Sequence, residues 1–150
     1  MHKRSTRLTR IARHHEHLQT QESRKLSDLR DAVDQAEQQL ASLEQYLSQY
    51  RDELEQLKRS GATVSRLQHY LQFIARINDA VREQRQRVAL TRNSFESQRE
   101  LWLHARTRTR SLEQAAERAG QQERVQLERS EQRSVDDMVA AWHVHRGNES

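Results

Sequence analysis

The sequence predicts an all-α fold, a long antiparallel two-helix coiled-coil hairpin in which the second helix overhangs the first. Three observations carry that expectation. Leu26, Leu29, Val33, Ala36, Leu40, Leu43, Leu47, Tyr50, Leu54 and Leu57 follow one another at alternating spacings of 3 and 4, the heptad seam of a coiled coil. After Lys58-Arg59-Ser60-Gly61 the pattern restarts as Val64, Leu67, Leu71, Ile74, Asn78, Val81, Arg85, Val88, Arg92 and Phe95. The two stripes also fit one register: facing numbers, from Leu57 with Val64 to Leu26 with Phe95, always sum to 121, as an antiparallel pairing requires.

Composition supports a rod over a compact core. The 150 residues include no Pro and three Gly, with 33% hydrophobic and 32% charged, enough apolar surface for a narrow seam and too little for a wrapped core. Nothing forces either helix to break. The first is expected over about residues 5–59, some 80 Å at about 1.5 Å per residue. A turn at about 60–63, a second helix at about 64–143 and a frayed tail at 144–150 complete a single domain.

Toward the N-terminus the seam loosens. Leu18 to Leu26 is a step of eight, and the stripe continues back through His15, Ile11 and Leu8, an irregularity that changes supercoiling locally. The register sets Leu8 near Glu113, leaving the chain after about residue 116 without a helix to lie on. That overhang still carries Ala116, Ala119, Leu127, Val135, Met138 and Trp142, interrupted by Glu123 and Glu131. An unpartnered stripe of this length either frays or is covered by another protein. Near the turn, Tyr70, Phe73, Ile77, Ala80 and Gln84 form a second stripe beside the seam, read either as a flank covered by side chains such as Tyr46 or as a docking face.

Several function classes are excluded on this reading. No stretch approaches the roughly 20 apolar residues that span a bilayer, and Met1-His2-Lys3-Arg4-Ser5 leads into no apolar signal region, so a soluble chain without a transmembrane segment is expected. Cysteine is absent, which removes disulfides, thiolate metal sites and cysteine nucleophiles. His14, His15 and His17 offer two imidazoles on one face with no third ligand, and His143 and His145 point in different directions, so no metal site is expected. Gly61, Gly120 and Gly147 stand alone, which rules out a phosphate-cradling loop. A two-helix rod has no pocket that excludes water, so the chain is not expected to be an enzyme and no catalytic residue or cofactor is expected.

The formal net charge is +4, carried mostly by arginine. Lys3, Arg4, Arg7, Arg10 and Arg13 occur with no acid among the first thirteen residues, and the register brings Arg106, Arg108 and Arg110 beside them. An acidic protein cavity, an anionic membrane surface and nucleic acid are all candidate ligands for such an end. Few nearby aromatics and no groove-reading module weigh against nucleic acid, which is not an expected partner.

One resemblance goes further. The run Gln35-Ala36-Glu37-Gln38-Gln39-Leu40, then Leu43-x-x-Tyr46-x-x-x-Tyr50-Arg51, a glycine at the turn, Leu67-x-x-Tyr70-x-x-Phe73-Ile74 with Ala80-Val81 and Gln84, and Trp102 resembles the flagellar type III export protein FliJ family. It extends over about residues 8–141, ending in Glu131-Gln132-Arg133 and Asp136-Asp137. The resemblance implies a cytoplasmic coiled coil similar to the gamma stalk of rotary ATPases, peripheral to the inner membrane at the flagellar base. Its open end would enter the hexameric export ATPase, with contacts expected at Arg4, Arg7, Arg10, Arg13, Leu127, Val135, Met138 and Trp142. Phe73, Ile77, Ala80 and Gln84 would meet the cytoplasmic linker of the export-gate membrane protein, and export chaperones would be further partners. Two alternatives stay open: the equivalent stalk of a virulence injectisome, and a structural or nucleic-acid-binding coiled coil.

Overall fold

The computed structural model describes residues 3–148, and among them there are two helices and no strand: α1 (Arg4–Arg59) and α2 (Val64–Asn148). Together they form an all-α, antiparallel two-helix hairpin. The reversal is built from local chemistry. Gly61 takes φ +76°, where a side chain would be strained, and the Ala62 amide reaches back to the Leu57 carbonyl at 3.2 Å, the bond that closes a Schellman C-cap. Two residues later the Thr63 hydroxyl accepts the Arg66 amide at 3.3 Å and so caps the start of α2. At its far end α2 remains helical to Asn148, past residue 143, where the sequence places a frayed tail.

The chain divides into two compact units. One is the turn unit, Gln21–Leu103; the other combines the residues up to Thr20 with those from His104 onward. In the turn unit the seam of α1 runs as expected, and Leu47, Leu54, Ile74, Ile77 and Val81 form the buried cluster, with Leu40, Leu43, Tyr50, Leu67 and Tyr70 packed against it. Each such aliphatic side chain, when buried, contributes roughly 1.5–3 kcal/mol.

The α2 seam differs from the sequence expectation at every second position. It uses Tyr70, Ile77, Gln84 and Thr91 where Leu71, Asn78, Arg85 and Arg92 were expected; Leu71 is 52% exposed, and Arg85 and Arg92 are exposed as well. The physical reason is clearest at Gln84, which is buried at 5% exposure. Its Nε2 donates to the Ala36 carbonyl at 2.9 Å and to Gln39 Oε1 at 3.2 Å, whereas Arg85 in that place would put a guanidinium into the seam. One heptad pair further along, buried Gln98, not Arg99, meets Glu22, donating to its carbonyl at 3.2 Å and to its carboxylate. No buried side-chain nitrogen or oxygen among the described residues lacks a hydrogen-bond partner.

The displaced arginines gain partners outside the seam. Arg51 donates to Asn78 Oδ1 at 3.4 Å, Arg85 to Glu44 Oε1 at 3.3 Å, and Arg92 through Nε to Glu37 Oε1 at 2.9 Å, successive rungs seven residues apart on both helices. Exposed pairs of this kind contribute about 0.2–1 kcal/mol each, so the ladder selects register and orientation more than it stabilises.

In the second unit the buried residues are Ala12, Thr109 and Ala119, while Ile11, expected in the seam, is 44% exposed. Ala12 and half-buried His15 and Gln19 thus keep the heptad of α1 intact, and the apparent step of eight disappears. Their small or polar character had hidden it. The first turn of α1 contains no acid, although the free amides of a helix N-terminus favour negative charge. Glu123 supplies it from α2: Oε1 accepts the Ser5 amide at 3.1 Å and Oε2 accepts the Ser5 hydroxyl at 2.5 Å. A Cβ on Gly120 would sit 3.9 Å from Ser5 Cβ, so the helices approach closely there. Pairing therefore reaches Glu123 and covers Ala116 and Ala119, which the sequence assigns to the unpartnered overhang. From Arg124 to Asn148 every residue of α2 is exposed.

Candidate functional site

Two surfaces lie where the sequence looks for partners, one in each unit. Near the turn, Tyr50 gathers an aromatic cluster, with Phe73 at 4.6 Å and Tyr70 at 6.0 Å between ring centroids. The Tyr70 hydroxyl donates to Glu53 Oε2 at 3.3 Å. Desolvation beside the seam, aided by the Glu53 charge, raises its pKa, which keeps the hydroxyl protonated and donating.

Of the four residues expected to form a docking face here, the structure separates two from two. Phe73 is 42% exposed and Ala80 is half-buried, so both reach the surface. Ile77 and Gln84 are seam residues, at 9% and 5% exposure, and make no open face. Tyr46 is itself 55% exposed. A shallow, solvent-open cleft of about 570 Å³ lies alongside, lined by Gln35, Gln38, Gln39, Ser42, Leu43 and Gln84. The cleft was not legible in the sequence, although the glutamine run Gln35-x-x-Gln38-Gln39 was the available signal.

The second surface belongs to the other unit. Arg4, Arg7, Arg10 and Arg13 are all exposed on the first four turns of α1. On α2, Leu127, Val135, Met138 and Trp142 are exposed at 54, 52, 73 and 54%. Val139, at 48%, widens the apolar strip, a residue that a strict heptad count passes over, and Val144, at 65%, is exposed on another side of the helix. Trp142 is not a bare ring: the Arg146 guanidinium lies 4.9 Å from its centroid and the His143 ring packs edge-on at 5.2 Å. Glu123, which borders the strip, has its carboxyl held below the ordinary range by the bonds from the Ser5 hydroxyl and amide, with the nearby Lys3 charge acting in the same direction.

His14 and His15 contact each other edge-to-face at 5.6 Å, and among the described residues no group of three or more His, Cys, Asp or Glu converges as a metal site would. Among the described residues no helix is long and apolar enough to cross a membrane. What the surfaces can do is bind: aromatic and aliphatic area framed by polar side chains on one unit, and cations beside an open apolar strip on the other.

The family described as "Flagellar FliJ protein" matches residues 3–148 of the chain. No curated protein and no solved structure matches it.

Proposed function

This chain belongs to the flagellar FliJ protein family, and from that premise we propose that it is the stalk of the flagellar type III export apparatus, binding the hexameric export ATPase through its second unit. The observation that carries this reading is the bare stretch of α2 from Arg124 to Asn148. An apolar strip kept helical and wholly exposed, next to a cationic start of α1, is a surface prepared for another protein. On this reading Arg4, Arg7, Arg10, Arg13, Leu127, Val135, Met138 and Trp142 meet the acidic and apolar lining of the ring. The stalk performs no chemistry itself; it biases the ring toward its assembled, competent state.

The turn unit serves the other end of the link. Phe73 and Ala80, with Tyr46 beside them, contact the cytoplasmic linker of the export gate, and Ile77 and Gln84 support that face from beneath. Export chaperones are handed on at the same apparatus, in the cytoplasm at the inner membrane. The family match favours the flagellar organelle over the injectisome counterpart.

The test is enzymatic. Purified full-length protein is expected to show no ATPase activity alone, to raise that of the cognate export ATPase, and to promote its ring form. Leu127→Ser combined with Trp142→Ala is expected to abolish stimulation while the helical signal persists, because both side chains are exposed. An ATPase rate and oligomer state unchanged by the full-length protein across a range of salt would refute the stalk.

A further inference from the structure

Between residues 3 and 20 the only acid is Glu16. Leu8, Ala12 and His15 turn toward α2, Arg13 and Glu16 line a shallow cleft with Glu113 and Glu117 on a flank, and Arg7 and Arg10 fall on the side of α1 directed away from α2. That outward side carries Arg7 and Arg10 and no acid over about three turns. Among the described residues no salt bridge engages Arg7, Arg10 or Arg13, although exposed arginines elsewhere are so engaged, as at Arg85 and Arg92. His14 continues the same row.

We propose that this outward face of α1 adsorbs directly to anionic phospholipid headgroups. The geometry is that of a surface binder: the apolar side of the helix is occupied by α2, so the cations meet a plane of phosphates without inserting. No Phe, Tyr or Trp stands among them to stack on bases, which separates the face from the usual single-strand nucleic-acid platforms. A flagellar protein works at a membrane-anchored organelle, and attachment through headgroups gives it a route to that surface. The proposal goes beyond the stalk reading. It uses some of the same arginines, so lipid and ATPase ring would exclude each other on one copy of the protein.

Flotation of the full-length protein with vesicles tests it without any ATPase present. With phosphatidylcholine vesicles containing about 30% phosphatidylglycerol, the protein is expected to float at low ionic strength and to be released by about 0.5 M salt. Each basic side chain at an anionic surface is worth roughly a fivefold change in partitioning, so Arg7→Glu, Arg10→Glu and Arg13→Glu together are expected to lower it by about a hundredfold or more. All three positions are exposed, where substitutions cost little, so this variant is expected to stay folded, which circular dichroism verifies. Arg66→Glu, Arg76→Glu and Arg87→Glu make the same change in net charge on exposed positions of the turn unit and are expected to alter partitioning far less. Equal losses in the two variants, equal flotation with pure phosphatidylcholine, or duplex DNA retained at a salt concentration that releases the vesicles would each overturn the proposal. ATPase stimulation that survives in the Arg7, Arg10 and Arg13 variant while flotation is lost would assign those three arginines to lipid and leave ring binding to Arg4 and the apolar strip of α2.

Discussion

Ile77 and Phe73 are four residues apart on α2 and differ sharply in what their removal should cost. Ile77 is 9% exposed within the cluster of Leu47, Leu54, Ile74 and Val81. Ile77→Ala deletes three buried carbons, which at about 0.8 kcal/mol each gives about 2.4 kcal/mol of lost transfer energy. A cavity term raises it toward about 3 kcal/mol, with partial collapse limiting the rise because a two-helix seam lies close to solvent. For a chain of this length that is a fall in melting temperature of roughly 6–12 °C. Phe73, 42% exposed, packs one side of its ring on Tyr50, and Phe73→Ala is expected to cost about 1 kcal/mol, the scale of a partly exposed aromatic pair. Urea unfolding followed by helical circular dichroism measures both, and binding of the export-gate linker is measured on the same preparations. Phe73→Ala should lose binding with stability nearly kept, whereas Ile77→Ala should lose stability first. If Phe73→Ala destabilises as much as Ile77→Ala, the separation of surface from seam is wrong.

Two further outcomes follow from the caps. Gly61→Ala meets no steric obstacle, since nothing lies within 4 Å of the new Cβ, so its cost is conformational alone and is expected at about 1–2 kcal/mol in urea unfolding. Glu123 has a depressed pKa in the folded chain, so its contribution to stability is present above the ordinary carboxylate range and is lost as pH falls through the lowered value. Glu123→Gln should therefore lower the urea midpoint at neutral pH and flatten its dependence on pH in the acid range; an unchanged acid limb would contradict the role of Glu123 at the start of α1.

The α1 seam from Leu26 to Leu57 was fully legible because each of its positions carries an apolar residue. On α2 the ambiguity arises at Leu67, from which a step of three reaches Tyr70 and a step of four reaches Leu71, both apolar. The two paths diverge in what they bury further on: one passes through Gln84 and Thr91, the other through Arg85 and Arg92. Desolvation of guanidinium groups favours the first, and that comparison was available in the sequence. The same choice converts Ile77 and Gln84 from candidate docking residues into structural ones. The reach of pairing to Glu123 was less accessible, because it depends on one carboxylate crossing to Ser5 and on the close approach at Gly120, neither of which follows from periodicity. The resemblance carried by the Tyr, Gly and Phe blocks agrees with the family that the chain joins.

The two glutamine layers of the turn unit, Gln84 on Ala36 and Gln98 on Glu22, have a mechanical consequence. A seam made only of leucine is nearly periodic under a seven-residue shift, so one helix can creep along the other at little cost. Here such a slip would carry the Gln84 carboxamide opposite Leu29 or Leu43 and strand it, a penalty of about 1–3 kcal/mol that each layer adds separately. The layers act as detents. An axial push or a twist delivered to one helix is passed to the other as displacement of the pair, and is not dissipated by sliding.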